Sequence, residues 1–364
     1  MHVSWFWIKQ RPQFMVEELS KRYSITVACL EDAHDHDRIK QASLDLPFAL
    51  KTIFLLGEKY RGTFFSTINF YLKKGQLLLL LQKSNVIWLN TPTQFLHIKP
   101  LMSPRHTLVY DCMDDIAAFQ ESNPVKMKQI QSIEKALCEK ADLVMVSSEE
   151  LKRRIKERYA IEKNVFLVQN GLSDQLFSQQ QTIVLPLALH FMNQKAEKKF
   201  IVYIGTISSW FDFESLIFAA NNNAACKFVL VGPADVSIPN HPSIIHIPPV
   251  QHKFIYSIMQ ASDVLIMPFK ITELVKAVNP VKAYEYISSG KPVILSSYTE
   301  TQIFEDYACL YTDSKSFSAL ISAAAEGLLH PKQSLEDCLS FARQNTWSKR
   351  GDYIEKLLGN YFAA

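Results

Sequence analysis

At 364 residues the chain is long enough for two domains. Its hydrophobic share of 48% and charged share of 21% are those of a folded globular protein and exclude a disordered one. A formal net charge of +3, with 24 Lys/Arg against 20 Asp/Glu through Phe177, argues against nucleic acid as a partner. It permits an anionic membrane surface or an acidic acceptor without requiring either.

The start, Met1 to Lys9, lacks a basic stretch followed by a long apolar core, so no signal peptide is expected. Val3–Ile8 reads as a first strand, Arg11–Tyr23 as a helix and Ile25–Leu30 as a strand. The loop that follows carries Asp32, His34 and Asp35-His36-Asp37. This resembles a metal-binding D-x-D, but an ordinary polar loop is the first reading, and no metal is expected. Phe64–Leu81 is aromatic and aliphatic with a basic break at Lys73 and Lys74. Core packing is its first reading, contact with lipid or a lipid-linked glycan its second. Its most apolar run, Leu77 to Leu81, is too short to span a bilayer. No transmembrane segment is expected, and the expected location is cytoplasmic or at the inner face of a membrane. Six cysteines without a two-residue gap, in mostly apolar runs, fit a reducing compartment.

Val86–Leu89 is a strand closed by Thr91-Pro92, and Leu108–Tyr110 another that ends at Asp111. Asp111, Asp114 and Asp115 therefore follow a strand at its carboxyl end, where open α/β sheets hold ligands. Asp114 first and Asp111 second are the candidates to orient or deprotonate an acceptor hydroxyl. The competing reading is that these aspartates cap the next helix. Lys126–Lys140 reads as a helix and Leu143–Val146 as a strand. Ser148–Tyr159 reads as a helix with Ser148 as its cap. Its run Lys152-Arg153-Arg154 with Lys156 and Arg158 reads as a solvated face or a contact for membrane phosphates. Val165–Val168 is a strand before Asn170-Gly171. Residues 178–199 break the alternation and are expected to link two domains.

Strands resume at Phe200–Ile204, Phe228–Val231, Ile244–Ile247, Val264–Met267, Val293–Leu295 and Cys309–Tyr311. Strands alternating with helices predict parallel sheets covered on both faces. Gly205, with Thr206 behind it, ends a strand where backbone can approach a ligand. Asn279-Pro280-Val281-Lys282 reads as a helix start, with Asn279 as cap and Pro280 in the first position. Gly290 fits a left-handed stop and Pro292 forbids continuation. Free N–H groups and the positive dipole end at this start suit an anion. Lys282 opposes the dipole, a local cost that an anionic ligand removes. Glu285 lies one turn on along the same face, placed to accept hydrogen bonds from a ribose diol. Ser334–Phe362 is helical in pattern.

Several strings together resemble one family. They are "QRPQFMVEELSKRYSITVAC", "LVYDCMDDIAAF", "EKALCEKADLVMVSSEEL", "VFLVQNGLSDQLF", "FIVYIGTISSWFDFESL", "QASDVLIMPF", "NPVKAYEYISSGKPVI" and "NTWSKR". In this order, over nearly all the chain, they resemble the nucleotide-sugar glycosyltransferases of the GT-B fold. The nearest group is the group-1, family-4-like bacterial transferases, retaining enzymes that build surface polysaccharides of the cell envelope. The resemblance implies two Rossmann-like parallel-sheet domains facing across a cleft, acceptor-binding 1–177 and donor-binding 200–344. It also implies that a C-terminal helix, 345–364, returns to the first domain. It implies metal-independent transfer from a nucleotide-diphosphate sugar, with no further cofactor, to a polysaccharide or lipid-linked glycan. A peripheral membrane contact would accompany it. Asn279, Pro280, Val281, Lys282, Glu285, Gly205, Thr206 and, beside the base, Val250 would meet the donor. Lys282 would also stabilise the leaving diphosphate. Two departures stand out: the family's earlier donor-site glutamate falls on Ala277, with Glu273 out of register, and "GTISSWFDF" lacks the usual lysine–arginine pair. An epimerase of the same fold and a degenerate glycan- or partner-binding protein are the alternatives.

Overall fold

A computed structural model describes residue 5 and residues 9–30, 46–53, 63–178, 184–193 and 198–362. The chain divides into two compact units, Met1–Gln169 with Arg350–Ala364, and Asn170–Lys349. The segment 178–199, expected as a linker, falls within the unit Asn170–Lys349. Its described part buries Leu185, Leu189 and Met192 in the second unit's core. The polar flanks conceal those three apolar positions in the sequence. Of the segment 345–364, residues 350–364 group with the first unit.

In the first unit, β1 (Thr26–Leu30) and β2 (Ala49–Ile53) pair in parallel. A second parallel sheet has the order β3-β4-β5-β6, formed by Val86–Leu89, Thr107–Cys112, Leu143–Val146 and Val165–Leu167. Leu108, Val109, Tyr110, Leu143, Val144 and Met145 are almost fully buried, as strands covered on both faces require. Of the expected strand Val3–Ile8 only Trp5 lies within the described residues. It is a buried turn residue whose ring meets Phe48 edge-on. The Asp32–Asp37 loop lies outside them.

Helix ends follow local chemistry. Ser148 accepts from Leu151 N–H at 3.1 Å and starts the helix Glu149–Tyr159, as its residue type leads one to expect. The helix expected from Lys126 begins two residues earlier, at Pro124, capped by Asn123. Ser334 caps Leu335–Gln344, and Asn345-Thr346 separate that helix from Trp347–Phe362.

The second unit holds a six-stranded parallel sheet in the order β12-β11-β10-β7-β8-β9. The strands are β7 Lys199–Ile204, β8 Cys226–Val231, β9 Ile244–Ile247, β10 Val264–Met267, β11 Val293–Ser296 and β12 Cys309–Tyr311. Renumbered from β7, this is the 3-2-1-4-5-6 order of a doubly wound sheet. The order reverses between β7 and β10, and such sheets bind ligands beyond the carboxyl ends of the strands at that point. Gly205 immediately follows β7. The helix Val281–Ser288 follows β10 and leads into β11.

Candidate functional site

In the second unit a single buried hydroxyl ties the helix Val281–Ser288 to the end of β7. Ile204 N–H donates to the Tyr286 hydroxyl at 2.8 Å, and that hydroxyl donates back to the Ile204 carbonyl at 3.2 Å. Burial, with Tyr203 and Glu285 adding to it and the Ile204 N–H opposing it, holds Tyr286 well above the ordinary phenol value. The body of the helix is thereby tied to the end of β7, which Gly205 follows, at the reversal point of the sheet. Sequence reasoning did not single out Tyr286. Its helical spacing marks only a core position.

The helix start differs from expectation in one respect. Pro280 is the N-cap residue and gives no side-chain cap, its φ of −82° and ψ of 107° being extended. Asn279, expected to cap, is buried and turned to another task. Its Oδ1 accepts from Asn170 N–H at 2.9 Å, and its carbonyl accepts from Asn170 Nδ2 at 2.8 Å. Asn170 and Asn279 thus form a two-point clasp at the entry to the second unit. The tip is left without a side-chain cap. Its first N–H groups keep their donor capacity, and the positive dipole end is not neutralised from within.

Lys282 and Glu285 occupy one face, as their spacing predicts. Lys282 Nζ lies 2.7 Å from Glu285 Oε2. The Lys282 side chain is about a third exposed (32%) and that of Glu285 mostly buried (10%). A ligand that brings an anion to Lys282 and hydrogen-bond donors to Glu285 can replace each partner of the pair. At the far end Gly290 has φ +68°, and its N–H donates to the Ile287 carbonyl at 3.0 Å. This is the left-handed stop that its position predicts.

The Gly205 loop is held flat. Gly205 N–H donates to Val231, and Ile207 N–H to Pro233. Ser208 Oγ donates to Asp235 at 2.9 Å. The Thr206 carbonyl accepts from the Tyr203 hydroxyl at 2.8 Å. Gly232, at φ +145°, faces Gly205 so closely that an added Cβ would lie 2.1 Å from the Gly205 carbonyl oxygen. Only glycine fits there, so Gly232 is as much part of the loop as Gly205. No signal in the sequence separates Gly232 from an ordinary strand-end glycine. Val250 is half-buried against the core before the turn His252–Phe254.

The departures from the family pattern have structural counterparts. Ala277 is buried at the end of the short helix Glu273–Lys276. Glu273 is exposed and pairs with Lys276 at 2.6 Å. The loop 206–211 brings no cation of its own. Lys270, exposed, joins it by donating its N–H to the Trp210 carbonyl at 2.8 Å.

In the first unit the three aspartates after β4 have separate fates. Asp111 is fully buried. It accepts from Arg11 Nε at 2.9 Å and Asn90 Nδ2 at 3.3 Å, while Arg11 also donates to the Val168 carbonyl at 2.7 Å. Asp111 thus ties the first helix to strand ends within the first unit. Asp115 accepts from Ala118 N–H, Arg154 and Arg158. Burial alone would raise its carboxyl, but the hydrogen bonds from Arg158 and Arg154 outweigh burial and hold it below the ordinary value. The capping reading therefore applies to Asp115. Asp114, half-buried, has no side-chain hydrogen bond or ion pair among the described residues. Burial pushes its carboxyl up to about 7; Arg11 opposes this, and Asp111 and Asp115 add to it. Of the three aspartates it alone carries no side-chain hydrogen bond or ion pair among the described residues.

The basic run on the helix Glu149–Tyr159 is not a simple solvated face. Arg154 is buried between Asp115 and Glu150, and Arg153 pairs with Glu150 and Glu157. Among the described residues no group of three or more His, Cys, Asp or Glu is placed to hold a metal ion.

No family model matches the chain. Solved structures resemble it over nearly its whole length. HepE of Anabaena in complex with UDP superposes with a TM-score of 0.70 at 14% identity, covering 96% of each chain. Sucrose-phosphate synthase of Thermosynechococcus elongatus gives 0.70 at 14% identity, covering 97% of this chain and 92% of that one. These likenesses establish the GT-B fold. Among curated proteins, TuaH of Bacillus subtilis (strain 168) bears the name of a teichuronic acid biosynthesis glycosyltransferase. It is 30% identical over 218 residues, 56% of this chain. The match spans about half of that relative, 54% of its length.

Proposed function

We propose that the protein is a glycosyltransferase that moves a sugar from a nucleoside-diphosphate sugar to a polysaccharide or lipid-linked glycan, with retention and without a metal. The observation that carries this reading is the uncapped helix tip at Pro280-Val281, with Lys282 and Glu285 behind it, on a helix that Tyr286 ties to the end of β7 where the sheet order reverses. The second unit holds the donor, with diphosphate on the tip and on Lys282, and the ribose diol on Glu285. As the bond from the anomeric carbon to the diphosphate breaks, the growing negative charge meets fixed N–H dipoles and one ammonium. The first unit holds the acceptor, and its hydroxyl attacks on the face that the diphosphate leaves, as retention requires, giving its proton to Asp114 as the new glycosidic bond forms. HepE has been solved with UDP and with UDP-glucose, which supports a uridine donor here. TuaH bears the name of a glycosyltransferase of teichuronic acid biosynthesis, which supports a polysaccharide acceptor here.

Calorimetry with two ligands tests this site. UDP is expected to bind wild type and to bind Glu285→Ala about tenfold more weakly, because the carboxylate's hydrogen bonds to the diol are lost. Inorganic pyrophosphate should bind Glu285→Ala at least as well as wild type, since Lys282 is released from its partner. Equal UDP affinity in both proteins would remove Glu285 from the site. No binding of any nucleoside diphosphate or its sugar to wild type would overturn the function.

A further inference from the structure

Asn279 carries the two acceptors that a helix cap uses. The side-chain oxygen of a cap takes an N–H of the first turn, and its carbonyl takes the first bond inside the helix. Neither atom of Asn279 is used in that way. Its Oδ1 accepts from Asn170 N–H at 2.9 Å, and its carbonyl accepts from Asn170 Nδ2 at 2.8 Å. These partners fix which end of each amide is oxygen, because a backbone N–H only donates and a carbonyl only accepts. The Ala283 N–H, which the carbonyl of a capping Asn279 would receive, goes to the Pro280 carbonyl at 3.1 Å instead. The Val281 and Lys282 N–H groups have no hydrogen-bond partner among the described residues. Asn170 thus occupies both of the atoms with which Asn279 would close the tip.

Asn170 is the anchored member of the pair. Its neighbour Gly171 lies so close to the segment Asn345-Thr346-Trp347 that an added Cβ would stand 2.9 Å from the Thr346 carbonyl carbon. Leu172 N–H donates to the Asn345 carbonyl at 3.0 Å, and Trp347 N–H to the Leu172 carbonyl at 3.0 Å. The Asn279 side chain has a weaker hold on its other side, where Nδ2 meets the Tyr284 hydroxyl at 3.4 Å. Released from Asn170, Oδ1 would find its next donors in the first-turn N–H groups, since Asn directly before a helix-opening Pro is a favoured cap.

We propose that Asn170 is a positioning residue of the donor site: it holds the Asn279 oxygens off the helix tip and so leaves the Val281 and Lys282 N–H groups to the donor's diphosphate. An internal oxygen on those groups would compete with the ligand. The inference rests on the tip being the diphosphate site. Calorimetry with UDP and with inorganic pyrophosphate tests it. Asn170→Ala should bind both about fivefold to tenfold more weakly than wild type. The two factors should be equal, because the effect lies at the tip and not at the ribose. Adding Asn279→Ala to Asn170→Ala should tighten binding again, because the competing oxygen is gone. A clasp that only holds the fold together predicts the reverse, a second substitution that leaves the loss or deepens it. A crystal structure of Asn170→Ala without ligand should show Asn279 Oδ1 on a first-turn N–H. Wild type that binds neither ligand would overturn the donor reading and this inference together. Where wild type binds, equal affinity in Asn170→Ala, or a double variant no tighter than that single one, would overturn this inference alone. An Asn170→Ala protein that does not fold would do the same.

Discussion

Lys282→Ala is expected to lower sugar transfer by about 100- to 1,000-fold while the protein stays folded. Lys282 carries the only side-chain cation in the first turn of the helix Val281–Ser288. Its partner Glu285 is replaceable, because their contact is open to solvent on the lysine side. In the ground state a bound diphosphate already carries charge, so part of the loss will appear in donor affinity. The larger part should appear in turnover, because the leaving group gains charge only as the bond breaks. Circular dichroism and melting temperature report on the fold, and single-turnover transfer reports on the chemistry. Normal turnover in a folded Lys282→Ala protein would remove Lys282 from the mechanism.

Asp114→Asn should lower transfer by about 100- to 10,000-fold and leave donor affinity unchanged. Burial and the neighbouring carboxylates hold the Asp114 carboxyl at about 7 in the folded protein, against Arg11. As a base it works when deprotonated, so wild-type turnover should rise with pH through about 7. The asparagine variant should lack that rise. Stability should move the other way. The native state binds this proton more tightly than the unfolded chain, whose carboxyl titrates in the ordinary range. Wild type therefore loses stability as pH rises from that range through about 7. Asp114→Asn does not titrate and should gain stability relative to wild type across that window. Equal loss of donor affinity and turnover, or a less stable variant at neutral pH, would assign Asp114 to structure.

The parts of this molecule that depend on local chemistry were legible in the sequence. Ser148 and Gly290 end helices as their types require. The alternation of apolar runs gave parallel sheets, and the three-residue spacing of Lys282 and Glu285 placed them together. Contacts across long sequence separations were not legible. Asn279 has every local property of a cap, yet its oxygens serve Asn170, 109 positions away. Three aspartates within five residues look alike on paper. Arg11, 100 positions upstream of Asp111, and Arg154, 39 positions downstream of Asp115, take two of them and leave Asp114. The basic run at 152–158 reads as a surface face only until those acids are in place. Phe64–Leu81 satisfies a core pattern because leucines line the helix on every side. Which leucines remain exposed is decided by the elements packed against it.

The most direct test is a crystal structure of the protein soaked with UDP. The account predicts the diphosphate at the tip of the helix Val281–Ser288, within hydrogen-bond reach of its first N–H groups and of Lys282. The ribose would then sit on Glu285, with the Lys282–Glu285 contact opened. Diphosphate bound elsewhere, or a tip that stays empty while Lys282 remains paired to Glu285, would contradict it.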